Sequence, residues 1–374
     1  MVAARVLIVG GGIGGLSLAT ALHRRGYMPE LIERAPSWQP IGAGIVLPAN
    51  GVRALRQLGM GAAVDRIGAV LPRWAFFDHQ AELLCRTDLE KLWGDVGPCL
   101  GTSRLHLQQA MVEAAGVVRI QLGVALTSLD QAGSRVTASF SDGTSGEYDL
   151  VVGADGIHST VRRLLGISGD PEYAGVVSWR SVIAGRPAGV HEQMVLLGDG
   201  CFVGVVPVGG GHTYSFAAID SDQVEDPLAG RLARFRRRFA AFGGPVPEYL
   251  AALESDQQLH FGPIEWVDLG SWHSGRVVLI GDAAHAAPPH MGEGGSLAIE
   301  DALVLAEVLR AADTVEQALD AYENRRRPRV GWVQEQSRAA AKAWILPPDA
   351  RNAALRDRGD QMLQDRFRPL IEMP

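Results

Sequence analysis

Cysteine is scarce in this chain: Cys85, Cys99 and Cys201 are the only three in 374 residues. Their spacing matches no metal-ligand pattern and gives no even-numbered disulfide framework, which argues against a disulfide-stapled secreted scaffold and a zinc module. A reducing, cytoplasmic setting is therefore expected, and no metal. Positive charge is not in excess either. With 35 basic against 42 acidic residues the net charge is −7, which argues against nucleic acid or an anionic membrane surface as a partner. No apolar run approaches the ~20 residues that a membrane-spanning helix needs. The apolar N-terminus is interrupted by Gly10–Gly12 and Gly14–Gly15 and lacks a cleavage pattern, so it reads as folded structure rather than as a signal peptide. Low-complexity tracts and internal repeats are also lacking.

Glycine, by contrast, is plentiful at 45 residues, in a composition that is 47% hydrophobic and 21% charged. That balance fits a globular α/β protein, and the length suits two domains or one large body with an inserted part. Residues 5–9 (RVLIV) read as a parallel-type strand, apolar on consecutive positions because both faces are covered. GGGIGG follows, so that Gly10, Gly12 and Gly15 form a G-x-G-x-x-G, and a helix from Leu16 to Arg25 closes at Gly26. The strand PELIE then ends at Glu33, 18 residues after Gly15. Set between strand and helix, this is a dinucleotide-binding fingerprint. The first glycine permits the turn, the second admits the pyrophosphate, and the third lets helix pack on strand. Glu33 is placed to accept hydrogen bonds from an adenosine ribose and disfavours a 2′-phosphate, which leaves NAD or FAD. The second βαβ unit of a dehydrogenase does not follow. Instead a polar loop leads to GAGI (42–45) and a helix begins near Pro48, which favours FAD.

Downstream, residues 73–86 alternate as a hairpin. A helix over Ser103–Ala115 carries Arg104 in its first turn, where the dipole disfavours a cation. A ligand phosphate or flavin and a surface salt bridge are both open explanations. Strands near 117–121, 124–130, 135–140 and 147–152 lead into GADGIHSTVRR (153–163). There Asp155 is either a helix cap or a ligand contact at the C-terminal end of a parallel strand. Residues 172–219 are strand-rich and mostly antiparallel, the candidate substrate region. The basic helix 228–241 reads as a solvated face over an apolar stripe of Leu232, Phe235 and Phe239. The richest stretch is GDAAHAAPPHMGEGGS (281–296). A buried strand (276–280) precedes it, its loop carries Asp282 and a Pro pair, and Gly292, Gly294 and Gly295 open a helix running from Leu297 to Leu309. Such glycines let backbone approach a ligand, and the helix N-terminus offers free N–H groups and a positive dipole end. The run RRRPR (325–329) reads as an exposed helix turn, and Pro347-Pro348 separates a final charged helix, about 350–367.

GGGIGG with Glu33, GADG with His158, Ser159 and Arg162, and GDAAHAAPPHMGEGG, in this order, resemble the single-component FAD-dependent aromatic hydroxylases. These are flavoprotein monooxygenases similar to p-hydroxybenzoate, salicylate and 3-hydroxybenzoate hydroxylases. ERAP, GAGI, Arg104 and EDALVLAE (300–307) fit the same family, and the likeness covers nearly the whole chain. The resemblance implies an α/β fold: a Rossmann-like FAD-binding domain of the GR2 type, interwoven with a mostly antiparallel β-sheet substrate domain, and a helical C-terminal segment. The implied boundaries are 1–72, 101–165 and 272–345 for the discontinuous FAD-binding domain, 73–100 and 166–271 for the substrate domain, and 346–374 for the tail. By resemblance, FAD is held by Gly10, Gly12, Ile13, Gly14 and Gly15 near its pyrophosphate and by Glu33 at its ribose. Arg34, Gly44, Arg104 and Val124 lie along it, and Asp155 is associated with both FAD and the nicotinamide donor. Gly281 and Asp282 meet the ribityl chain, and Gly292, Gly294 and Gly295 face the pyrimidine edge. Glu293 stands where the family often has Gln, and Ser296 where it often has Asn. An ionised Glu293 would either alter the flavin potential or pair with a basic group.

The implied reaction consumes NADH or NADPH, docked without a Rossmann domain of its own. It inserts one oxygen atom from O₂ into a phenolic aromatic molecule through a flavin hydroperoxide. A phenolate reacts better than a phenol, so a base helps. The candidates are His212 and Tyr214 on the antiparallel sheet and His290 beside the Pro pair, with Pro289 shaping the loop; for each, a structural role competes with a catalytic one. Trp179, Phe202 and Phe216 either line an apolar pocket or belong to the core. Other readings stay open: an FAD-dependent epoxidase or an antibiotic- or polyketide-modifying oxygenase, a flavin reductase of the geranylgeranyl-reductase kind, and a non-catalytic FAD-binding module. The expected partners are the small aromatic substrate, O₂ and NAD(P)H, for a monomer or homodimer without a membrane span.

Overall fold

The short run Val6–Val9 has no polar side chain and is buried along its whole length, as a strand covered on both faces must be. It lies near the middle of a six-stranded sheet in the computed structural model, which describes residues 5–38, 43–222 and 225–374. Gly42 of the expected GAGI segment, with residues 39–41, lies outside the described residues. The strand order is His273–Ser274, Val277–Leu279, Leu150–Gly153, Val6–Val9, Glu30–Glu33 and Arg119–Leu122. All neighbours are parallel except the first pair. Because the strands share a direction, the loops after Val9, Glu33, Gly153 and Leu279 leave from one edge, where open α/β sheets place ligands. Helix Ile13–His23 packs on helix Gly294–Ala311 and on helix Arg104–Ala115.

The expected strand 147–152 divides in two. Ser145–Tyr148 pairs in a three-stranded meander with Arg135–Phe140 and Leu126–Ala132, whereas Leu150–Gly153 enters the central sheet. Asp149 marks the switch, its side chain accepting from the Arg5 N–H and its own N–H donating to Arg5 O.

A second sheet of seven strands has the order His260–Trp266, Glu172–Ile183, His212–Asp220, Cys201–Val208, Gln193–Leu197, Arg73–Asp78 and Leu83–Asp88. All pairs are antiparallel except Gln193–Leu197 with Arg73–Asp78. Directly opposed residues share a face, so Ser178, Arg180, Phe202, Tyr214, Phe216 and Ala218 point one way. Trp179, Val203, Val205 and Ala217 point the other way. That second face is closed by helices Arg231–Phe239 and Val246–Ala252, with Trp179 packed on Phe235 and Phe239. A small sheet, Gly44–Leu47 with Leu100–Ser103 and Ala69–Val70, joins the two large ones.

The run RRRPR is part of a helix, as expected, but only Arg325 and Pro328 of it are exposed. It lies in the middle of helix Val315–Trp344, where Arg326 is 0% exposed. Its Nε donates to Asp301 Oδ1 (2.7 Å) and its Nη1 to Glu300 Oε2 (2.9 Å), while Arg329 Nη2 donates to Glu300 Oε1 (2.8 Å). Two buried carboxylates on helix Gly294–Ala311 need cations, and this run supplies them. After Trp344 the Pro pair starts helix Pro348–Phe367, which lies on strand Leu83–Asp88. Arg351 ties it down by donating to the carbonyls of Gly198, Trp344 and Leu346. No helix of the described residues is long and apolar enough to cross a membrane.

Candidate active site

Backbone geometry explains the first loop. Gly10 has φ +109°, and a Cβ there would lie 2.4 Å from Ala154 O, so two loops of the central sheet meet at a position only glycine fits. A Cβ on Gly15 would lie 1.9 Å from Gly10 O; this glycine packs helix on loop and does not line the cavity. Gly12 differs from both. Nothing stands within 4 Å of its Cβ position, and it caps helix Ile13–His23 without a side chain, leaving first-turn N–H groups unpaired within the helix. Glu33 stiffens the loop: its Oε2 accepts from Gly11 N–H (2.7 Å) and its Oε1 from Ala35 N–H (2.9 Å).

These loops border a cavity of about 600 Å³, a size that encloses cofactor-sized ligands. Gly10, Gly12, Ile13, Gly14, Glu33, Arg34, Val124 and Asp155 line it, as do Gly281, Asp282, Gly292, Gly294 and Gly295. Asp155 also caps a helix, accepting from Ser159 Oγ (2.5 Å) and from the N–H groups of Thr160 and Val161 (2.7 and 3.1 Å). Arg162 locks this loop to the next by donating to Ile157 O and Ala283 O. Gly281 N–H donates to Asp301 Oδ2 (2.9 Å), as His285 Nε2 meets the same oxygen at 2.7 Å. The buried ion pairs of helix Gly294–Ala311 thus position the Asp282 loop.

Glu293, the N-cap of that helix, is 1% exposed. Its Oε2 accepts from Asn50 Nδ2 at 3.0 Å, and Asn50 Nδ2 also donates to Glu300 Oε1 at 3.1 Å. Oε1 has no partner among the described residues. Burial pushes the carboxyl up to about 8 and Glu300 adds to it, against Asn50, Arg329 and Ser296. Among the described residues no basic group forms an ion pair or hydrogen bond with Glu293, and Arg329 acts on it only through its charge. Ser296 is buried beside Gly51, where a Cβ would lie 2.2 Å from its Oγ.

The inner face of the seven-stranded sheet closes the cavity with Trp74, Phe202, Tyr214 and Phe216, and Trp344 joins them from the long helix. Glycines make room for the rings. A Cβ at Gly204 would lie 2.1 Å from the Phe216 ring and one at Gly44 2.3 Å from the Tyr214 ring, so Gly44, although it lines the cavity, is shaped by Tyr214. Burial raises the Tyr214 phenol, opposed by the nearby Arg180 and Arg104 cations. Arg104 lines the cavity at the head of its helix. Pro289 and His290 line it as well. His290 lies between Phe202 (5.6 Å) and Trp344 (4.9 Å), and neither ring nitrogen has a partner among the described residues. Burial, reinforced by Arg366, lowers its pKa to about 3, so the ring stays neutral and is a poor proton acceptor.

Besides Gly15, two expected residues lie elsewhere. His212 is outside the lining: it starts its strand directly after the Gly209–Gly211 turn, at the end of the sheet. Trp179 belongs to the core on the far face. Sequence reasoning passed over Arg180, Gln193, Trp74 and Trp344, all of which line the cavity, and Asn50 behind it. Alternation along Trp179-Arg180-Ser181 could have separated Arg180 from Trp179, since neighbours on a strand face opposite ways.

A sequence family described as FAD binding domain matches residues 3–337. The chain belongs to this family of FAD-dependent monooxygenases. Aurachin C monooxygenase/isomerase of Stigmatella aurantiaca is 35% identical over 323 residues, covering 85% of this chain and 84% of that protein. The FAD-dependent urate hydroxylase of Klebsiella pneumoniae is 34% identical over 342 residues, covering 87% and 86%. The crystal structure of Klebsiella pneumoniae HpxO complexed with FAD and uric acid superposes with a TM-score of 0.91 at 30% identity, over 99% of this chain and 97% of that one. The residues present fit the family's cofactor. The open space over Gly12 and the uncapped helix start beside it suit a pyrophosphate, and the helix start at Gly294 gives a second positive dipole end on the same cavity.

Proposed function

We propose that this monooxygenase consumes NADH or NADPH and inserts one oxygen atom from O₂ into a small phenolic molecule bound on the inner face of the seven-stranded sheet. The observation that carries this reading is a single cavity bounded both by the dinucleotide loops and by Trp74, Phe202, Tyr214, Phe216 and Trp344. In this reading residues 1–72, 101–165 and 272–345 hold FAD and residues 73–100 and 166–271 shape the substrate chamber.

FAD, when bound, supplies the electron transfer and the oxygen activation. Gly10, Gly12, Ile13 and Gly14 would hold its pyrophosphate, Glu33 and Arg34 its adenosine part, and Asp282 its ribityl chain. The helix start at Gly294 and Gly295 would favour negative charge on the reduced ring system. The aromatic walls orient a flat substrate and exclude water, and the neutral His290 keeps that wall apolar. Tyr214, whose phenol burial keeps protonated, donates a hydrogen bond from Oη to the substrate oxygen. The three cysteines are unpaired, which supports a reducing, cytoplasmic setting.

The test is NADH and NADPH oxidation by the FAD-loaded protein against a panel of hydroxylated aromatic compounds. Oxidation stimulated by one compound, with a hydroxylated product and little peroxide, is expected. Slow oxidation that no compound stimulates would overturn the reading.

A further inference from the structure

Behind the cavity, Glu293 Oε1, Asn50 Oδ1 and Ser296 Oγ are buried and have no partner among the described residues. Asn50 cannot help, because its Nδ2 already donates to Glu293 Oε2 and to Glu300 Oε1. The Ser296 hydroxyl is then the one side-chain donor left in this group, against three acceptors. A proton on Glu293 adds a second donor, whereas an ionised Glu293 adds only a further buried acceptor.

The charges around Glu293 give its ionised form little support. From its own helix Glu300 opposes it. From helix Val315–Trp344 Arg329 favours it, but Arg329 is bound to Glu300 by two hydrogen bonds (2.9 and 2.8 Å), and Arg326 is divided between Glu300 and Asp301. The Cys99 thiol, just ahead of strand Leu100–Ser103, is kept neutral by burial and feels the Glu293 charge as a further hindrance to ionising. Asp282 stands at the same helix start, its Oδ1 3.7 Å from a Cβ placed on Gly294. Burial is the largest influence on Glu293 and pushes its carboxyl up to about 8.

The place of this proton gives it an effect. Glu293 precedes the 18-residue helix Gly294–Ala311, and its neighbours Gly292, Gly294 and Gly295 line the cavity. We propose that Glu293 sets the reduction potential of bound FAD: while it carries its proton the helix end stays positive and supports the reduced, anionic ring, and once the proton leaves, the carboxylate cancels that support. Reduction brings two electrons and one proton to FAD and leaves one negative charge on the ring. Where Glu293 is already protonated nothing more is taken up. In the alkaline range reduction also draws a proton from solvent onto Glu293, because coupling between the two sites is reciprocal. Glu293 acts through the helix end, as a positioning residue. The proposal rests on the reading that places the ring at Gly294 and Gly295.

The test is the midpoint potential of FAD bound to wild type and to Glu293→Gln, measured without substrate or oxygen by equilibration with a reference dye from pH 6 to 9.5. At pH 6 the two proteins agree. At pH 9.5 the reduced-to-oxidised ratio of the wild type lies about tenfold below that of the variant, which for two electrons is about 30 mV. The wild-type plot steepens above about pH 8, and the variant keeps one slope. A merely structural Glu293 would give no difference or a constant offset, and either result overturns the proposal. A single slope in the wild type overturns it without needing the variant to fold. Denaturant midpoints of the two apo-proteins say which premise failed. Potentials that coincide while the apo-protein stabilities diverge above about pH 8 refute the placement of the ring; potentials and stabilities that both coincide refute the titrating carboxyl.

Discussion

Glu293 gives the sharpest physical prediction. It sits, 1% exposed, at the N-terminus of the helix whose positive end meets the cavity, bonded to Asn50, which also donates to Glu300. Burial raises its pKa from 4.5 to about 8. At about 1.4 kcal/mol per pH unit the displacement corresponds to roughly 5 kcal/mol. The sign follows from where the proton resides. Between pH 4.5 and about 8 the unfolded chain has released it and the native chain keeps it. Folding then takes up a proton, so the contribution is complete below pH 4.5, falls as pH rises, and is lost above about 8. Glu293→Gln replaces the neutral acid with a neutral isostere that still accepts from Asn50 and cannot ionise. Other groups titrate alike in both proteins and cancel in the difference. Cys99, raised by its own burial to about 12, titrates outside the window.

Denaturant midpoints of FAD-loaded wild type and Glu293→Gln, measured from pH 5 to 9, should therefore diverge, the variant gaining at least 2 kcal/mol relative to wild type at the alkaline end. Parallel curves across that range would refute the buried, protonated carboxyl. The same measurement bears on the flavin. A neutral Glu293 leaves the positive helix end uncompensated, where an ionised one would cancel it.

Removing Arg326 should be severe: Arg326→Met leaves Asp301 and Glu300 buried without their shared cation, and a loss of about 3–5 kcal/mol is expected in denaturant unfolding. A loss below 1 kcal/mol would contradict the geometry. The two fingerprint glycines should separate fold from ligand. Gly15→Ala drives a Cβ against the Gly10 carbonyl and lowers apo-protein stability by about 1–3 kcal/mol. Gly12→Ala meets no protein atom and costs the apo protein only the weaker helix cap, about 0.5–1 kcal/mol, yet weakens FAD retention after gel filtration. Equal effects of both on apo stability would show that Gly12 is a packing residue too. His290→Asn should leave the shape of the pH–kcat/KM profile between pH 5 and 9 unchanged, since an imidazole whose pKa lies near 3 does not titrate there. Loss of one limb of that profile would make His290 a catalytic base after all.

The sequence was most legible where one backbone position admits one residue type. Gly10 at φ +109° against the Ala154 carbonyl can be read without any partner in view, since no other residue fits there and the flanking strand and helix set its context. Charge was the least legible. RRRPR looks like a solvated turn because composition records neither that Arg326 faces inward nor that Glu300 and Asp301, 26 and 25 residues earlier, are the groups it meets. Glu293 was visible as an unusual residue, but the choice between an ionised and a neutral carboxyl needed the burial that only the packing of Asn50 and helix Gly294–Ala311 reveals.

The contrast between His212 and Tyr214 shows where strand periodicity stops. The two residues are two positions apart, so alternation puts both on the inner face of the sheet and cannot choose between them. What separates them is distance along the strand. His212 opposes Val208 across the Gly209–Gly211 turn and is therefore fixed at the sheet's end, whereas Tyr214 opposes Val206 and Val182 and sits where Gly44 of the joining sheet leaves room for its ring. The decisive residue is thus Gly44, 170 positions away. A face can be inferred locally, but the depth at which a side chain enters a cavity is set by the element packed over it. The same holds for Arg180, whose neighbour in sequence, Trp179, belongs to a different core.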